Sequence, residues 1–305
     1  MTEKMFNIIL GSILLFLSSC AVFFYLTEQR AETVASNNPT SHSITPPPSS
    51  KPKKTNATPE NNPTETEKNT NKKEENNPNK DATSDNGVPE IIWGIDSASE
   101  TSEEFYACVR EHFGDPVVFG RYLGDIEGVS KGLTAKQVKL IHSKGDYILP
   151  IYNHFDNATG YENGVSQAKE AIKLASEIGM PKGIAIFADI EPNYPVDSEF
   201  IRGWFETISN SQYKSGIYGV FDQEQNLSKA FNEAIEKNQD ILENNYIWTA
   251  APNIGITTQA KAPKYTPEAP ENSLVWGWQY GIDAESCNID TNLFKGALVD
   301  VLWGP

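Results

Sequence analysis

The chain has 305 residues, a net charge of −16 and three cysteines. These values exclude a basic nucleic-acid binder, a disulfide-dense miniprotein and a polytopic membrane protein. The acid is unevenly spread: residues 1–88 are close to neutral, whereas 89–305 hold 16 Lys and Arg against 31 Asp and Glu. Such a segment repels phosphate backbones and anionic polymers, so no nucleic acid and a neutral or weakly charged ligand are expected.

Residues 1–26 read as a membrane address. From Met5 to Leu26 the sequence is apolar apart from Asn7 and small hydroxyls, and a helix of that length spans ~33 Å, enough to cross a bilayer. Leu17-Ser18-Ser19-Cys20 resembles a lipobox, in which the cysteine is lipidated after the preceding segment is removed. Because Ala21 to Leu26 continues the apolar run, an uncleaved span is the preferred reading and lipidation at Cys20 the alternative. Both place the C-terminal part of the chain outside the cytoplasm, bound to the membrane and facing the cell wall. Residues 27–88 are built from Asn, Thr, Pro, Lys, Glu and Ser with no aromatic residue. That composition buries too little apolar surface to offset chain entropy and predicts a disordered linker spanning ~45 Å.

From residue 89 to 305, short β-rich runs alternate with helical segments, which predicts an α/β fold with parallel strands. Candidate strands are 91–96, 117–122, 147–152, 183–191, 216–220, 246–251 and 274–280, with an eighth near 288–290. Ser102 and Thr134 carry helix-start patterns, the second with a capping-box Gln137. Residues 164–178 and 222–239 have apolar positions at i, i+3 and i+4. Seven or eight such units in this length predict a compact TIM-type barrel; a doubly wound sheet is the alternative, but no Gly-rich phosphate loop is present.

In a barrel the chemistry lies at the C-terminal ends of the strands. There the sequence places Asp96, Arg121, Asn153, Asp189 with Glu191, Trp278 to Tyr280, and Asp290. Asp189 and Glu191 are two apart, so on a strand both project to one face. Like charges that close, beside aromatic neighbours, push one carboxyl pKa up and leave the other ionised. Glycoside hydrolysis needs that division: an acid protonates the leaving oxygen while a carboxylate supports the oxocarbenium-like centre. Tyr152, Tyr218, Trp248, Trp278 and Tyr280 suit stacking on sugar faces, Arg121 and Asp290 add polar contacts, and core packing is the competing role for the aromatics. Trp278 and Tyr280 share a strand face, so both line the mouth or both pack outside.

Other signals carry less. Gly128-Val129-Ser130-Lys131-Gly132 spells a nucleophile elbow but lacks the strand-to-helix turn which that motif requires. Four scattered histidines do not suggest zinc. Asp96, Asp189, Glu191 and Asp290 have the chemistry to hold a hard cation, yet the favoured reaction needs no metal or other cofactor. Cys108 and Cys287 are candidates to pair outside the cytoplasm.

At these residues the sequence resembles bacterial glycoside-hydrolase-like barrels related to glycoside hydrolase family 25, the lysozyme-like muramidases. Gly94-Ile95-Asp96 looks like the group's opening Gly-Ile-Asp, Phe187 to Glu191 like its Asp-x-Glu strand, Trp278-Gln279-Tyr280 like its late Trp-Gln-Tyr, and Ile289 to Phe294 like its closing Asp-x-Asn-x-Phe. Phe119 to Leu123, Lys131 to Thr134 and Leu149 to Tyr152 look closer to a sister family of secreted, uncharacterised glycoside-hydrolase-like domains. The resemblance implies Glu191 as general acid, Asp189 as its partner or the stabiliser of a substrate-assisted intermediate, and Asp96 as a third catalytic carboxylate, with Asp290 completing the rim. It implies peptidoglycan as substrate. A barrel that binds glycan without turnover, or a cell-envelope scaffold for a protein partner, are the alternatives. The opening motif continues Ser97-Ala98-Ser99, without the aromatic that often follows in true muramidases.

Overall fold

The computed structural model describes residues 88–305. The expected span at 5–26, Cys20 and the linker up to residue 87 lie outside the described residues. The elements run β1 (Ile91–Asp96), α1 (Glu103–His112), β2 (Val118–Tyr122), α2 (Ala135–Ser143), β3 (Tyr147–Tyr152), α3 (Tyr161–Glu177), β4 (Ala185–Asp189), α4 (Ser198–Ser209), β5 (Lys214–Gly219), α5 (Asn226–Lys237), α6 (Asp240–Asn244), β6 (Asn245–Ala250), β7 (Leu274–Gly281) and β8 (Asp290–Lys295). Among the described residues no helix is long and apolar enough to cross a membrane.

The strands close into a barrel in sequence order, β1 through β8, which excludes the open doubly wound sheet. Neighbours from β1 to β7 are parallel. The eighth departs from the expected parallel pattern: β8 pairs antiparallel with both β7 and β1. The cause is the connection. Residues 282–289 contain no helix, and a parallel return needs a crossover of about a dozen residues or more, so the chain doubles back.

Alternation along each strand divides the core in two. Ile92, Val118, Leu149, Ile151, Ala185, Phe187, Trp248 and Phe294 fill the barrel, and Leu298, Val301 and Leu302 from the C-terminal segment join the same cluster. Trp93, Ile95, Phe119, Ile148, Ile186, Ile217 and Leu293 face the opposite way and pack with the buried sides of the helices. Inside, glycines stand opposite bulk: a Cβ on Gly216 would press on the Phe187 ring, and one on Gly277 on Trp248 and Phe294.

Helix starts are set by side-chain caps. Ser102 Oγ accepts from the N–H of Phe105 at 3.2 Å and Thr134 Oγ1 from that of Gln137 at 3.3 Å. The capping box at Thr134 is not reciprocated to the backbone. Gln137 instead donates to Gly132 O and to Thr134 Oγ1, while its Oε1 accepts from the N–H of Thr101. Asp197 caps α4 through Phe200 N–H at 2.8 Å and also accepts from the N–H of Gly160 at 2.9 Å, coupling the starts of α3 and α4. These two helices meet backbone to backbone, since a Cβ on Gly164 would strike Phe200 O and one on Gly203 would strike Tyr161 O.

A disulfide joins Cys108 on α1 to Cys287 in the β7–β8 loop, 179 residues apart. In the chain-entropy account, closing so long a loop stabilises by up to about 5 kcal/mol. Replacing the pair with Cys108→Ser and Cys287→Ser should therefore lower the urea midpoint substantially in a chemical-denaturation series. Gly203→Ala should cost about 1–3 kcal/mol through overpacking of α3 on α4, measured in the same way.

Candidate active site

The side chains that continue the inward series of barrel-filling residues reach the rim where the parallel strands end. Asp96 follows Ile92 and Gly94 by twos, Tyr122 follows Val118 and Gly120, Asn153 follows Leu149 and Ile151, and Asp189 follows Ala185 and Phe187. Gly120 makes the room for one of them, because a Cβ there would lie 2.5 Å from Asp96 Cβ. Since β8 is antiparallel, its first residue lies at this same rim: Asp290 pairs with Asp96 and Asn292 with Gly94. Glu191 stands just past the end of β4, where Ile190 N–H still bonds Tyr218 O at 3.0 Å. Asp96, Asp189, Glu191 and Asp290 thus gather at one mouth, where the Asp96 charge raises the other three carboxyls and the Glu191 charge raises Asp189 and Asp290.

Their hydrogen bonding differs sharply. Asp96 is 5% exposed, and its Oδ1 accepts from Asn292 Nδ2 at 2.7 Å and Gln279 Nε2 at 3.0 Å. Burial holds its carboxyl above the ordinary carboxylate range, even though these two donors and the Arg121 charge lower it. Asp189 is as buried, but its Oδ1 has no hydrogen-bond partner. Burial, then the charges of Glu191 and Asp96, hold its carboxyl well above the carboxylate range. Glu191 is raised by burial and by Asp96. Asp290 accepts from the N–H of Asp283 at 2.7 Å and from Gln279 Nε2 at 3.3 Å, and burial with the Asp96 charge lifts it to about 8. Tyr122 and Tyr218 are held well above the usual phenol range, first by burial and then by the carboxylates.

Among the side chains expected to bind substrate, Tyr218 and Asp290 share the mouth with the acids. Trp248 lies beneath it, 1% exposed, with its ring centroid 4.3 Å from that of Tyr218. Arg121, Tyr152, Trp278 and Tyr280 are on the outward strand face. The enclosed guanidinium of Arg121 donates to Ser97 O, Lys131 O and Gln137 Oε1, and burial lowers its pKa to about 10. Tyr152 stacks on Trp204 at 5.8 Å and donates to Gln167 Oε1 at 2.7 Å. Trp278 and Tyr280 follow the second of their two arrangements: Trp278 Nε1 donates to Ala251 O, and Tyr280 OH accepts from Trp93 Nε1 at 3.0 Å. The residue between them, Gln279, takes the inward place, opposite Asn292.

Gln279 and Asn292 are site residues to which the sequence motifs alone assign no role. Alternation is the signal that could have found them: a polar residue between two outward aromatics, and an Asn two before inward Phe294. Gly128 to Gly132 lies in the loop between β2 and α2, where Ser130 Oγ accepts from Asn153 Nδ2 at 3.2 Å, so this is no nucleophile elbow. Among the described residues, no group of three or more His, Cys, Asp or Glu is arranged to hold a metal ion.

The closed barrel with its acidic mouth belongs to a glycoside-hydrolase-like domain. Residues 116–293 match the family described as Rv2525c-like, glycoside hydrolase-like domain, and the chain belongs to that family. An uncharacterized B. stearothermophilus protein of solved structure is 41% identical with a TM-score of 0.68, over 70% of this chain and 100% of that one. A muramidase from Acremonium alcalophilum is 16% identical with a TM-score of 0.45, over 68% of this chain and 99% of that one. A lysozyme from Streptomyces coelicolor is 15% identical with a TM-score of 0.44, over 70% and 96%. No curated protein sequence matches the chain.

The elevated carboxyl of Asp290 fixes the sign of a pH effect. Its folded form binds a proton more tightly than the unfolded chain, so the cost of ionising it is absent below about pH 4 and grows as pH rises toward 8. Thermal midpoints should fall across this window, and the fall should be smaller in Asp290→Asn.

Proposed function

We propose that this chain is a membrane-tethered, extracytoplasmic glycoside hydrolase that cleaves the glycan strands of peptidoglycan. The observation that carries the reading is the unequal treatment of carboxylates in one mouth: Asp96 has two amide donors, and Asp189 Oδ1 has none beside Glu191. That contrast makes Asp96 the easier of the two to ionise and Asp189 the easier to keep protonated, the kind of division acid-catalysed glycoside cleavage uses. Glu191 gives its proton to the leaving glycosidic oxygen. Asp96 supports the positive charge that develops at the sugar carbon. Asp189, between them in role, orients the substrate group that assists departure, and Tyr218 and Asp290 line the same mouth. Peptidoglycan as substrate is supported by the motif resemblance at Gly94 to Asp96, Asp189 to Glu191, Trp278 to Tyr280 and Asp290 to Phe294. The extracytoplasmic location is supported by the apolar run Met5 to Leu26 and by a disulfide of the kind that oxidising compartments preserve.

A glycan-binding barrel without turnover is the second reading. It is favoured by the opening motif, which continues Ser97-Ala98-Ser99 without the aromatic that often follows in true muramidases. Incubating the full-length chain with purified peptidoglycan and measuring reducing ends separates the two. Hydrolysis predicts release that falls by about 10²- to 10⁴-fold in Glu191→Gln, the range typical of a lost general acid, with binding retained. Binding to peptidoglycan with no release from either protein would establish the second reading instead.

A further inference from the structure

Five side chains under the mouth form one directed chain of hydrogen bonds. Trp248 Nε1 donates to Asn292 Oδ1 at 2.8 Å, and Asn292 Nδ2 donates to Asp96 Oδ1 at 2.7 Å. From the other side, Tyr218 OH donates to Gln279 Oε1 at 2.6 Å, and Gln279 Nε2 donates to the same Asp96 oxygen at 3.0 Å. An amide presents an acceptor on one arm and donors on the other, and its orientation is set by what its neighbours demand. An indole N–H only donates. Trp248 therefore forces the oxygen of Asn292 toward itself and the NH₂ toward Asp96. Gln279 is oriented from its other arm: its NH₂ is taken by Asp96 Oδ1 and by Asp290 Oδ2, the second at 3.3 Å, which leaves Oε1 to accept the hydroxyl proton of Tyr218. Trp248, Asn292 and Gln279 are each at most 2% exposed, so no bulk water competes for these bonds.

We propose that Trp248 and Tyr218 are positioning residues that act through the Asn292 and Gln279 amides to hold Asp96 as a carboxylate, with Oδ1 engaged and Oδ2 left for the ligand. The role rests on the hydrolase reading for its purpose but not for its physics. Asp96 faces unfavourable company: Asp290 across the β1–β8 pair, Asp189 and Glu191 at the end of β4, and the phenols of Tyr122 and Tyr218, with Arg121 on β2 as the one cation among the groups acting on it. Burial raises its carboxyl, and the two oriented amides oppose that. Losing the indole N–H frees Asn292 to turn its oxygen toward Asp96, which replaces an attraction with a repulsion.

The test reads the Asp96 carboxyl directly, by carbon-13 titration of the full-length chain labelled at aspartate side chains, with the Asp96 signal assigned from its loss in Asp96→Asn. In Trp248→Phe and in Tyr218→Phe the midpoint of Asp96 should rise by about one pH unit or more, the scale of one lost hydrogen bond to a charged group. Midpoints unchanged in both variants would overturn the proposal. Tyr218→Phe deletes a single hydroxyl and keeps the test decisive if the larger change at Trp248 impairs folding, which near-ultraviolet circular dichroism reports. Failure of the hydrolase reading appears elsewhere, as absent reducing ends from the unmodified chain, and leaves the Asp96 titration intact.

Discussion

A strand that enters a sheet antiparallel presents its first residue, not its last, at the rim where its parallel neighbours finish, and β8 does this between β7 and β1. The register then sets Asp290 directly against Asp96, and Asn292 against both Gly94 and Gln279. Two carboxylates on paired strands repel. The same closure supplies a remedy, because it brings the amides of Asn292 and Gln279 to Asp96. The acidic mouth and the groups that make it tolerable arise from one topological choice.

Burial at the mouth is graded. Beneath it, Trp248, Phe187 and Phe294 pack the barrel with their rings 6.2–6.3 Å apart around Trp248, and this apolar floor is what removes water from the inner oxygens. Above it, Glu191 is only half-buried on the segment after β4. A carboxyl at that level can meet a ligand entering from solvent, whereas Asp96 and Asp189 meet only what has already entered. The glycines at 120, 216 and 277 belong to the same arrangement, since each leaves the space that a neighbouring acid or ring occupies.

Much of this was legible before the structure. The β-rich runs marked seven strands to within a few residues, because buried strands are short, apolar and separated by capped helices, whereas the eighth, expected near 288–290, begins at Asp290 and runs on to Lys295; the Asp189–Glu191 spacing and Asp96 were readable as rim acids. Which face of each strand turns inward was harder to read. Tyr152, Trp278 and Tyr280 look like sugar-stacking residues, but in a barrel ringed by helices the outward face is also buried and takes aromatics equally well. Arg121 misled for a related reason: a charged residue at a strand end suggests a ligand, yet here it ties Ser97 and Lys131, the loops after β1 and β2, together through their carbonyls. The direction of β8 was hidden because strand composition carries no sign, and only the short, helix-free connection before it determines the turn.

The Cys108–Cys287 bond makes a covalent ring of the chain from α1 to the β7–β8 loop, and that ring contains β2 through β7. A single peptide-bond cut anywhere within it leaves one connected molecule, with the severed ends still held in the barrel by their strand neighbours. Resistance to nicking is thus built into the topology: the two pieces come apart only when the sulfur bridge is reduced as well, and a once-cut molecule keeps its full mass until then.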